Sequence, residues 1–518
     1  LQLETAMQLP IAVSETEKST LQNQVFEQIR LMIVDGRLKA GDPLPATREL
    51  SIQMGISRNT AMLAYERLIS EGYIFTKPQV GTFVSTNLHD RIPTSSMNGV
   101  RLTSGANSKS TELPSASRTR QFVRTHSLRN PHKQRLTADF WVGRPDPASF
   151  PVKAWSKHIW KQLQRSSASL TSYNEPSGLE ALRNAISDHL GPARGIAVDA
   201  DQIIIVGGCQ DGFNLIARLL VEPGTPLVIE NPCYQGAAYV FESFGAELHP
   251  VSVDEQGLDT SQLPDVSGAV AYLTPSHQYP MGATLSLPRR MDLLAWADEH
   301  DAYVVEDDYD SDFRFSGAPL TAVKGLDRHD RVIYMGTFSK CMGPGLRLGY
   351  LALPRALVEP ARRLKALMNN GQSWLEQSAM ADFMLDGGFR RHLRRMRQTY
   401  VIRRDVLLAA LQSNFGECHV RGADAGMHLT WRIPDDLPDA EEIETLALKG
   451  GVGVYALSTG AALQIGSRTD SRRYLVLGYA ALTPREIDHG ISCLAKILSP
   501  ASSHSVTAET AALQRNSR

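Results

Sequence analysis

One lysine in this 518-residue chain stands where an amine can do covalent chemistry. Lys340 closes the segment Gly336-Thr337-Phe338-Ser339-Lys340, directly after the apolar run Arg331-Val-Ile-Tyr-Met335, and Gly343, Gly345, Arg347 and Gly349-Tyr350 follow it. A lysine at a strand end among small residues can be held unprotonated, and an arginine seven positions on can hold a phosphate beside it. That pairing is what a Schiff base with pyridoxal phosphate (PLP) requires; the bland alternative is a solvated lysine at a strand end. An electron sink of this kind also needs a protonated pyridine nitrogen, which a neighbouring carboxylate secures. Tyr303-Val-Val-Glu306-Asp307-Asp308-Tyr309 ends an apolar run with such groups, and Asp307 lies 33 residues ahead of Lys340. Adjacent carboxylates also serve as metal-ligand pairs or solvated turns, and the residues alone leave those readings open. Phosphate recognition calls for backbone amides at a helix start. Gly207-Gly208-Cys209-Gln210-Asp211-Gly212 lies between an apolar run and a helical one, with Ser339 and Arg347 to add a hydroxyl and a guanidinium fork. Neither the dinucleotide glycine pattern nor a Walker lysine is present there.

These residues need a frame, and the chain from Asp139 to about Leu498 has one. Ile203–Val206, Leu227–Ile229, Val270–Leu273, Tyr303–Val305 and Val332–Tyr334 are short apolar runs. Helical stretches at Gly212–Leu220, Gly236–Phe244 and Arg289–His300 lie between several of them. Alternation of this kind predicts an α/β domain with a largely parallel sheet. The Ser/Ala-rich tail, residues 499–518, is expected to be frayed.

A smaller unit precedes it at residues 19–86, after an extension at 1–18. Ser19 is a plausible N-cap for a helix on which Leu21, Val25, Ile29 and Ile33 share a face until Asp35-Gly36. Gly41-Asp-Pro-Leu-Pro45 reads as a turn, Thr47 as the cap of a second helix to about Met54, and Ser57 as the cap of a third. On the third helix Ala61, Ala64, Tyr65 and Leu68 are expected inward. Tyr73–Phe75 and Gly81–Val84 read as two short strands, which completes a winged helix-turn-helix plan. Residues 87–138 are Ser/Thr/Asn-rich without apolar periodicity and read as a linker. Nine Lys and Arg there oppose two acidic residues, a net +7, whereas residues 1–86 sum to −1. Such a linker is either a self-repelling spacer or a supplementary contact to phosphates.

The bulk numbers agree with a multidomain globular chain. The overall charge of −1 gives no hint of nucleic acid, because it averages over domains. Cys209, Cys233, Cys341, Cys418 and Cys493 are scattered, odd in number and without metal-ligand spacing, so neither a disulfide framework nor a metal site is expected. With no secretory signature and no apolar run of membrane length, a cytoplasmic protein is expected.

Two resemblances follow from these segments. Leu44-Pro-Ala-Thr-Arg-Glu-Leu50, Gly55-Ile-Ser-Arg-Asn-Thr60, Tyr65-Glu-Arg-Leu68 and Glu71-Gly-Tyr73 resemble the GntR-type DNA-binding domain. The resemblance implies that Thr47, Arg48, Ser57, Arg58, Asn59, Thr60 and the wing residue Gly81 meet double-stranded DNA. Arg67, on later turns, is an even choice between DNA and the fold. The large domain is similar to fold-type I aminotransferases of class I. In that family Lys340 is the Schiff-base lysine, Asp307 the pyridinium partner and Tyr309 the residue that reaches the cofactor phenolate. Gly208, Cys209, Gln210, Ser339 and Arg347 correspond to the phosphate cup. Tyr234, in Glu230-Asn-Pro-Cys-Tyr234, is the candidate to stack on the ring. Tyr173, in Tyr173-Asn-Glu-Pro-Ser-Gly178, is implied to reach a neighbouring subunit's phosphate. Two departures stand out. Tyr279-Pro-Met-Gly282 replaces Asn-Pro-x-Gly, which leaves His277 or Gln278 to substitute for the asparagine. Val476 falls where many members carry a carboxylate-binding arginine, with Arg472 and Arg473 close in sequence. In this order the parts resemble the MocR/GabR family of PLP-dependent regulators. That family implies a head-to-tail homodimer, a small amine or amino-acid-like effector sensed at the cofactor, and little or no transamination. A working aminotransferase with an appended DNA-binding domain is the alternative.

Overall fold

The computed structural model describes residues 9–14, 19–85, 136–165, 170–315, 320–460, 462–466 and 471–499. The chain divides into two compact units, one on each side of the Glu112–Leu113 bond.

In the first unit α1 (Leu21–Val34), α2 (Thr47–Met54) and α3 (Arg58–Ser70) are joined by β1 (Pro43–Leu44), β2 (Ile74–Lys77) and β3 (Gly81–Val84). Ser57 caps α3 as its sequence predicts, its Oγ accepting from the Thr60 amide at 3.0 Å. The other two caps differ by one residue. Thr20, not Ser19, caps α1, and Ser19 instead accepts from the Asn23 side chain at 3.0 Å. Ala46 stands at the N-cap of α2, so Thr47 is already helical. The free amide of Ala46 is satisfied by the Glu49 carboxylate reaching back at 3.1 Å. Part of the expected Gly41–Pro45 turn is a strand: β1 pairs antiparallel with β3, which also pairs with β2. The Tyr65 hydroxyl donates to the Pro45 carbonyl at 2.8 Å and ties this turn to α3.

The core of this unit holds Val25, Phe26, Ile29, Leu50, Ala61, Ala64, Tyr65 and Leu68, the faces that helical spacing selects. It also holds Leu9, only 3% exposed, with Ile11 and Val13 packed against the same cluster. The Gln53 side chain donates to the Leu9 carbonyl at 2.6 Å, and Gln28 to that of Ala12 at 2.6 Å. Residues 9–14, expected to be an extension, therefore belong to the small unit.

The second unit is built on an eight-stranded sheet. Its order is Ile203–Val206, Gly349–Ala352, Val332–Thr337, Tyr303–Asp308, Val270–Leu273, Pro226–Asn231, Glu247–Asp254 and Gly257–Leu258. Gly349–Ala352 runs antiparallel to both neighbours and Gly257–Leu258 antiparallel to the strand beside it; the remaining neighbours pair in parallel. Strands Ile203–Val206, Val270–Leu273 and Val332–Thr337 are buried at every position, which is why they read as apolar runs without alternation. Helices Cys209–Leu220, Gln235–Ser243 and Leu287–Glu299 cross between strands as the sequence predicts. A second sheet orders His419–Arg421, His428–Arg432, Tyr474–Gly478 and Tyr455–Ala456, all antiparallel. The long helix Gly388–Phe415 precedes it in the chain. Ala138 pairs with Val452 and the Thr137 amide donates to Gly451, so the last residues of the expected linker belong to this unit. The rest of that linker and nearly all of the 499–518 tail lie outside the described residues. No helix among the described residues is long and apolar enough to cross a membrane.

Burial of Leu9 in a small core predicts a cost of about 2–4 kcal/mol for Leu9→Ala. Chemical denaturation of the full chain, followed by a probe placed in residues 19–85, should show that loss; an unshifted transition would return residues 9–14 to the status of an extension.

Candidate functional site

The parallel strands end at one edge, and the side chains picked out from the sequence gather there. A cavity of about 710 Å³ is lined by Lys340, Asp307, Tyr309, Cys209, Gln210, Tyr234, Ser339 and Arg347, together with residues of the smaller sheet. Strand alternation selects among the three acids on Tyr303–Asp308. Asp307 faces the cavity, where the Tyr272 hydroxyl donates to it at 3.0 Å. Glu306 accepts from the amides of Val323 and Lys324, at 3.0 and 2.9 Å. Asp308 pairs with Arg194 at 2.7 Å and accepts from the Tyr334 hydroxyl at 2.5 Å. Only the middle carboxylate is left for a ligand.

Burial sets the protonation of the pair. Removal from water pushes Asp307 up to about 7; Asp308 and Asp310 add to the rise, while the Tyr272 hydrogen bond and Lys340 oppose it. Burial lowers the Lys340 amine, against the pull of Cys209, Asp310 and Asp307. Its Nζ donates to the Gly143 carbonyl at 3.1 Å. Gly143 has φ 83°, and a Cβ there would stand 2.5 Å from Nζ, so the lysine needs glycine at this point.

The residues expected to form a phosphate cup lie at the start of the helix Cys209–Leu220. Gly208, with φ 97°, is its N-cap, and a Cβ on it would approach the Arg347 guanidinium at 3.5 Å. The Asp211 carboxylate accepts from the Gly207 amide at 2.8 Å and pairs with buried Lys365 at 2.5 Å, so the acid beside the cup is neutralised. Tyr234 packs edge-on against Tyr279, with centroids 5.9 Å apart at 86°.

His277 is a correction. It does not line the cavity but sits behind Tyr309, whose hydroxyl donates to the His277 carbonyl at 2.9 Å. Its Nδ1 faces Asp310 at 2.9 Å. Burial disfavours the imidazolium, yet the Asp310 charge and hydrogen bond outweigh it and hold His277 above its ordinary range. His428, with its ring centroid 4.8 Å from that of His277, is driven far down by burial and by the His277 charge. An imidazole held toward its charged form therefore backs Tyr309, with one held toward its neutral form beside it. Gln278 is spent on the carbonyls of Pro232 and Tyr279, both at 2.8 Å. Tyr279 itself, at the position of the missing asparagine, lines the cavity.

Val476 lines the cavity as its register predicts, and neither nearby arginine compensates for it. Arg473 turns to the carbonyls of Leu437 and Pro434, and Arg472 is exposed away from the site. The cavity has another guanidinium that sequence reasoning missed: Arg144, paired with Asp139 at 3.0 Å. Asp139 also accepts from the Tyr455 hydroxyl at 2.5 Å, and Trp141 meets the Tyr455 ring edge-on at 4.7 Å. Tyr455 is far in sequence from the other three, and only the Gly-Arg-Pro turn at 143–145 could have pointed to this group. Tyr173 is 92% exposed and lies outside this protomer's cavity.

In the small unit Arg48, Ser57, Arg58, Asn59 and Gly81 are exposed, and Thr47 and Thr60 half-buried. Among the described residues neither Arg48 nor Arg58 has an acidic partner, so both guanidinia are free for phosphates or base edges. Arg67 serves the fold instead: it pairs with Glu71 and Asn23, both at 2.8 Å, and lies 3.8 Å over the Phe26 ring.

Residues 143–512 match the model of aminotransferase class I and II, and residues 21–84 that of bacterial regulatory proteins of the gntR family. The chain is 33% identical over 476 residues to the probable rhizopine catabolism regulatory protein MocR of Rhizobium meliloti, covering 92% of this chain and 93% of that one. The chain belongs to the MocR-type regulators. Another relative in this group is the pyridoxine biosynthesis transcriptional regulator PdxR of Corynebacterium glutamicum, 32% identical over 87% of this chain and 91% of its own. Among solved structures, the kynurenine aminotransferase of Pyrococcus horikoshii superposes with a TM-score of 0.64 at 26% identity, over 76% of this chain and 96% of that one. The large unit of this MocR-type chain is thus a fold-type I aminotransferase domain, and the small one a winged helix-turn-helix.

Because the carboxyl of Asp307 is held above its unfolded value, the cofactor-free fold favours its neutral form. That stability is present at low pH and is lost as pH rises from about 4 to about 7. Cofactor-free Asp307→Asn should therefore gain stability relative to wild type across that window, with a constant difference above it. Melting curves against pH check this; parallel curves would contradict a buried, raised Asp307.

Proposed function

We propose that this MocR-type chain is a DNA-binding transcriptional regulator that senses a primary amine or amino-acid-like effector through PLP held covalently at Lys340. The observation that carries the reading is the pairing of a buried, down-shifted lysine with a buried carboxylate on one cavity, in a chain that also carries a reading head. The residues fit the cofactor: one cavity is lined by an amine, a carboxylate, several aromatic rings, and Ser339 and Arg347 for a phosphate. When bound, PLP supplies an aldehyde that combines reversibly with amines and a ring that accepts electrons.

The chain's own residues divide the remaining work. Burial shifts Lys340 Nζ toward the free base, the form that would hold the cofactor aldehyde and give way to a competing amine. Asp307 holds a proton at the ring nitrogen, where a cation compensates its own desolvation. The His277–Asp310 pair keeps the Tyr309 hydroxyl in place. Arg347 and the amides that start the helix Cys209–Leu220 anchor the phosphate end. Arg144, beside Val142, Leu457 and Val476, gives the effector one cation on an otherwise apolar wall.

Exposed Tyr173 suits a site completed by a second protomer, and a head-to-tail homodimer in the cytoplasm is part of the proposal. The same lysine and aspartate would serve a working aminotransferase. Against that reading stand Val476 in place of the carboxylate arginine and Tyr279 in place of the asparagine.

Borohydride treatment should fix PLP covalently to wild type and not to Lys340→Ala, while operator binding persists in the variant. Fixed cofactor in Lys340→Ala would move the attachment elsewhere. Arg58→Ala should weaken operator binding by about 1–3 kcal/mol if it reads a base, with cofactor loading unchanged. Equal operator affinity would make Arg58 a solvated surface residue.

A further inference from the structure

A second cavity, of about 700 Å³, lies in the large unit and shares no lining residue with the first. Its walls are the end of the helix Glu180–Arg194, the turn Ser311–Arg314 and the first half of the helix Gly388–Phe415. The long helix contributes Arg390, Arg391, Arg394 and Arg397 to the wall, and the turn contributes Arg314. Positions 390, 394 and 397 are spaced by four and three residues, so they form one stripe on one face.

Their charge is poorly compensated. Arg397 donates through Nε and Nη2 to the backbone carbonyl of Asp312, at 2.9 and 2.7 Å, and its charge also meets the Asp312 carboxylate, so it is compensated in part. Arg391 reaches the Asp386 carboxylate only at 3.9 Å. Arg390 and Arg394 have no acidic partner among the described residues. The Arg314 Nε is buried with no hydrogen-bond partner. Two carboxylates share the wall, Asp188 and Asp312, and His189 stands 3.9 Å from Asp312. Arg194 lines the cavity as well, but its charge is paired with Asp308 beneath it.

A run of arginines on a helix is ordinarily a solvated face. Two features separate this one: the guanidinia line a concavity rather than a convex surface, and one buried donor is left unmet. Like charges at helical spacing repel, so the arrangement gains nothing for the fold. A guanidinium fork matches phosphate oxygens, and the volume lies within the range of small-ligand pockets.

We propose that this cavity is a second ligand site, for a compact phosphate-bearing anion of more than one negative charge. Arg390 and Arg394 supply free guanidinia on its wall, and Arg314 adds a further guanidinium from the turn Ser311–Arg314. The concave shape favours a small anion over the backbone of a duplex. The site is independent of the Lys340 cavity, and its occupant would add a second chemical input to a regulator already fitted for an amine.

The test uses full-length protein loaded with PLP, so that the Lys340 cavity is filled, and inorganic pyrophosphate as the probe. Calorimetric titration should show saturable binding to wild type, and pyrophosphate should raise its melting temperature. Arg390→Ala combined with Arg394→Ala should weaken that binding about tenfold or more, as expected for lost hydrogen bonds between charged groups. Both arginines are exposed and unpaired among the described residues, so the double variant should fold with an undiminished melting temperature in the absence of the probe. Arg314→Lys, which keeps the charge but loses the fork, should give an intermediate loss. Absence of saturable binding to wild type, or equal affinity in the double variant, would overturn the proposal. So would a double variant that keeps pyrophosphate affinity but loses affinity for an unrelated duplex with a flatter salt dependence, since that result makes the stripe a DNA contact.

Discussion

The large unit is organised around two ionisable groups taken out of water on one cavity. A carboxylate and an amine buried in this way disfavour their charged forms, and neither has an ion-pair partner of its own there. The surroundings accept this cost in a selective manner. Glu306 and Asp308, on either side of Asp307, are engaged by amides, a tyrosine and Arg194, so one strand carries two acids bound within the fold and one that faces the cavity. Asp211 beside the phosphate cup is likewise neutralised by Lys365. What remains unneutralised is an amine, a carboxylate and an anion-binding helix start, the three groups that a phosphate-bearing aldehyde with a basic ring nitrogen would engage together.

Much of this was legible in the sequence because the decisive residues sit at strand ends. Strand Tyr303–Asp308 and strand Val332–Thr337 are neighbours in parallel, so groups at their ends converge; the run-plus-polar pattern points to Lys340 and to the acids at 306–308, and the family resemblance singles out Asp307 among them. The glycines ahead of Cys209 were readable for the same reason. The residues that reading missed come from elsewhere in the chain. Arg144 and Trp141 precede the parallel strands, while Tyr455 and Leu457 belong to or follow the smaller antiparallel sheet; no local spacing links them to Lys340. His277 was misplaced because a one-dimensional register cannot tell a residue that touches a ligand from one that stands behind Tyr309. The caps of the first two helices shifted by one residue because Ser19 and Thr20 have similar chemistry, and because Glu49 can satisfy an amide from inside the helix. Leu9 was passed over because a single apolar residue ahead of a helix carries no period.

The two units carry different kinds of chemistry. The small one presents unpaired arginines and short polar side chains on its surface, a pattern suited to recognition without any bond being made. The large one buries its reactive groups and surrounds them with aromatic rings. If the two are coupled, an amine that changes DNA affinity must itself bind with an affinity that depends on DNA, by the same factor. In the proposed reading the seat of such coupling on the large unit would be Lys340, where an incoming amine would compete for the cofactor.

The most direct test of this account is operator affinity measured with and without a primary amine, in PLP-loaded wild type and in Lys340→Ala. The amine to use is the member of a panel that most changes the absorbance of the wild-type protein. The account predicts that this amine shifts operator affinity in wild type, that it does not do so in Lys340→Ala, and that its tertiary analogue is inert in both. An equal shift in the two proteins would contradict the claim that the effector is sensed through the lysine and its cofactor.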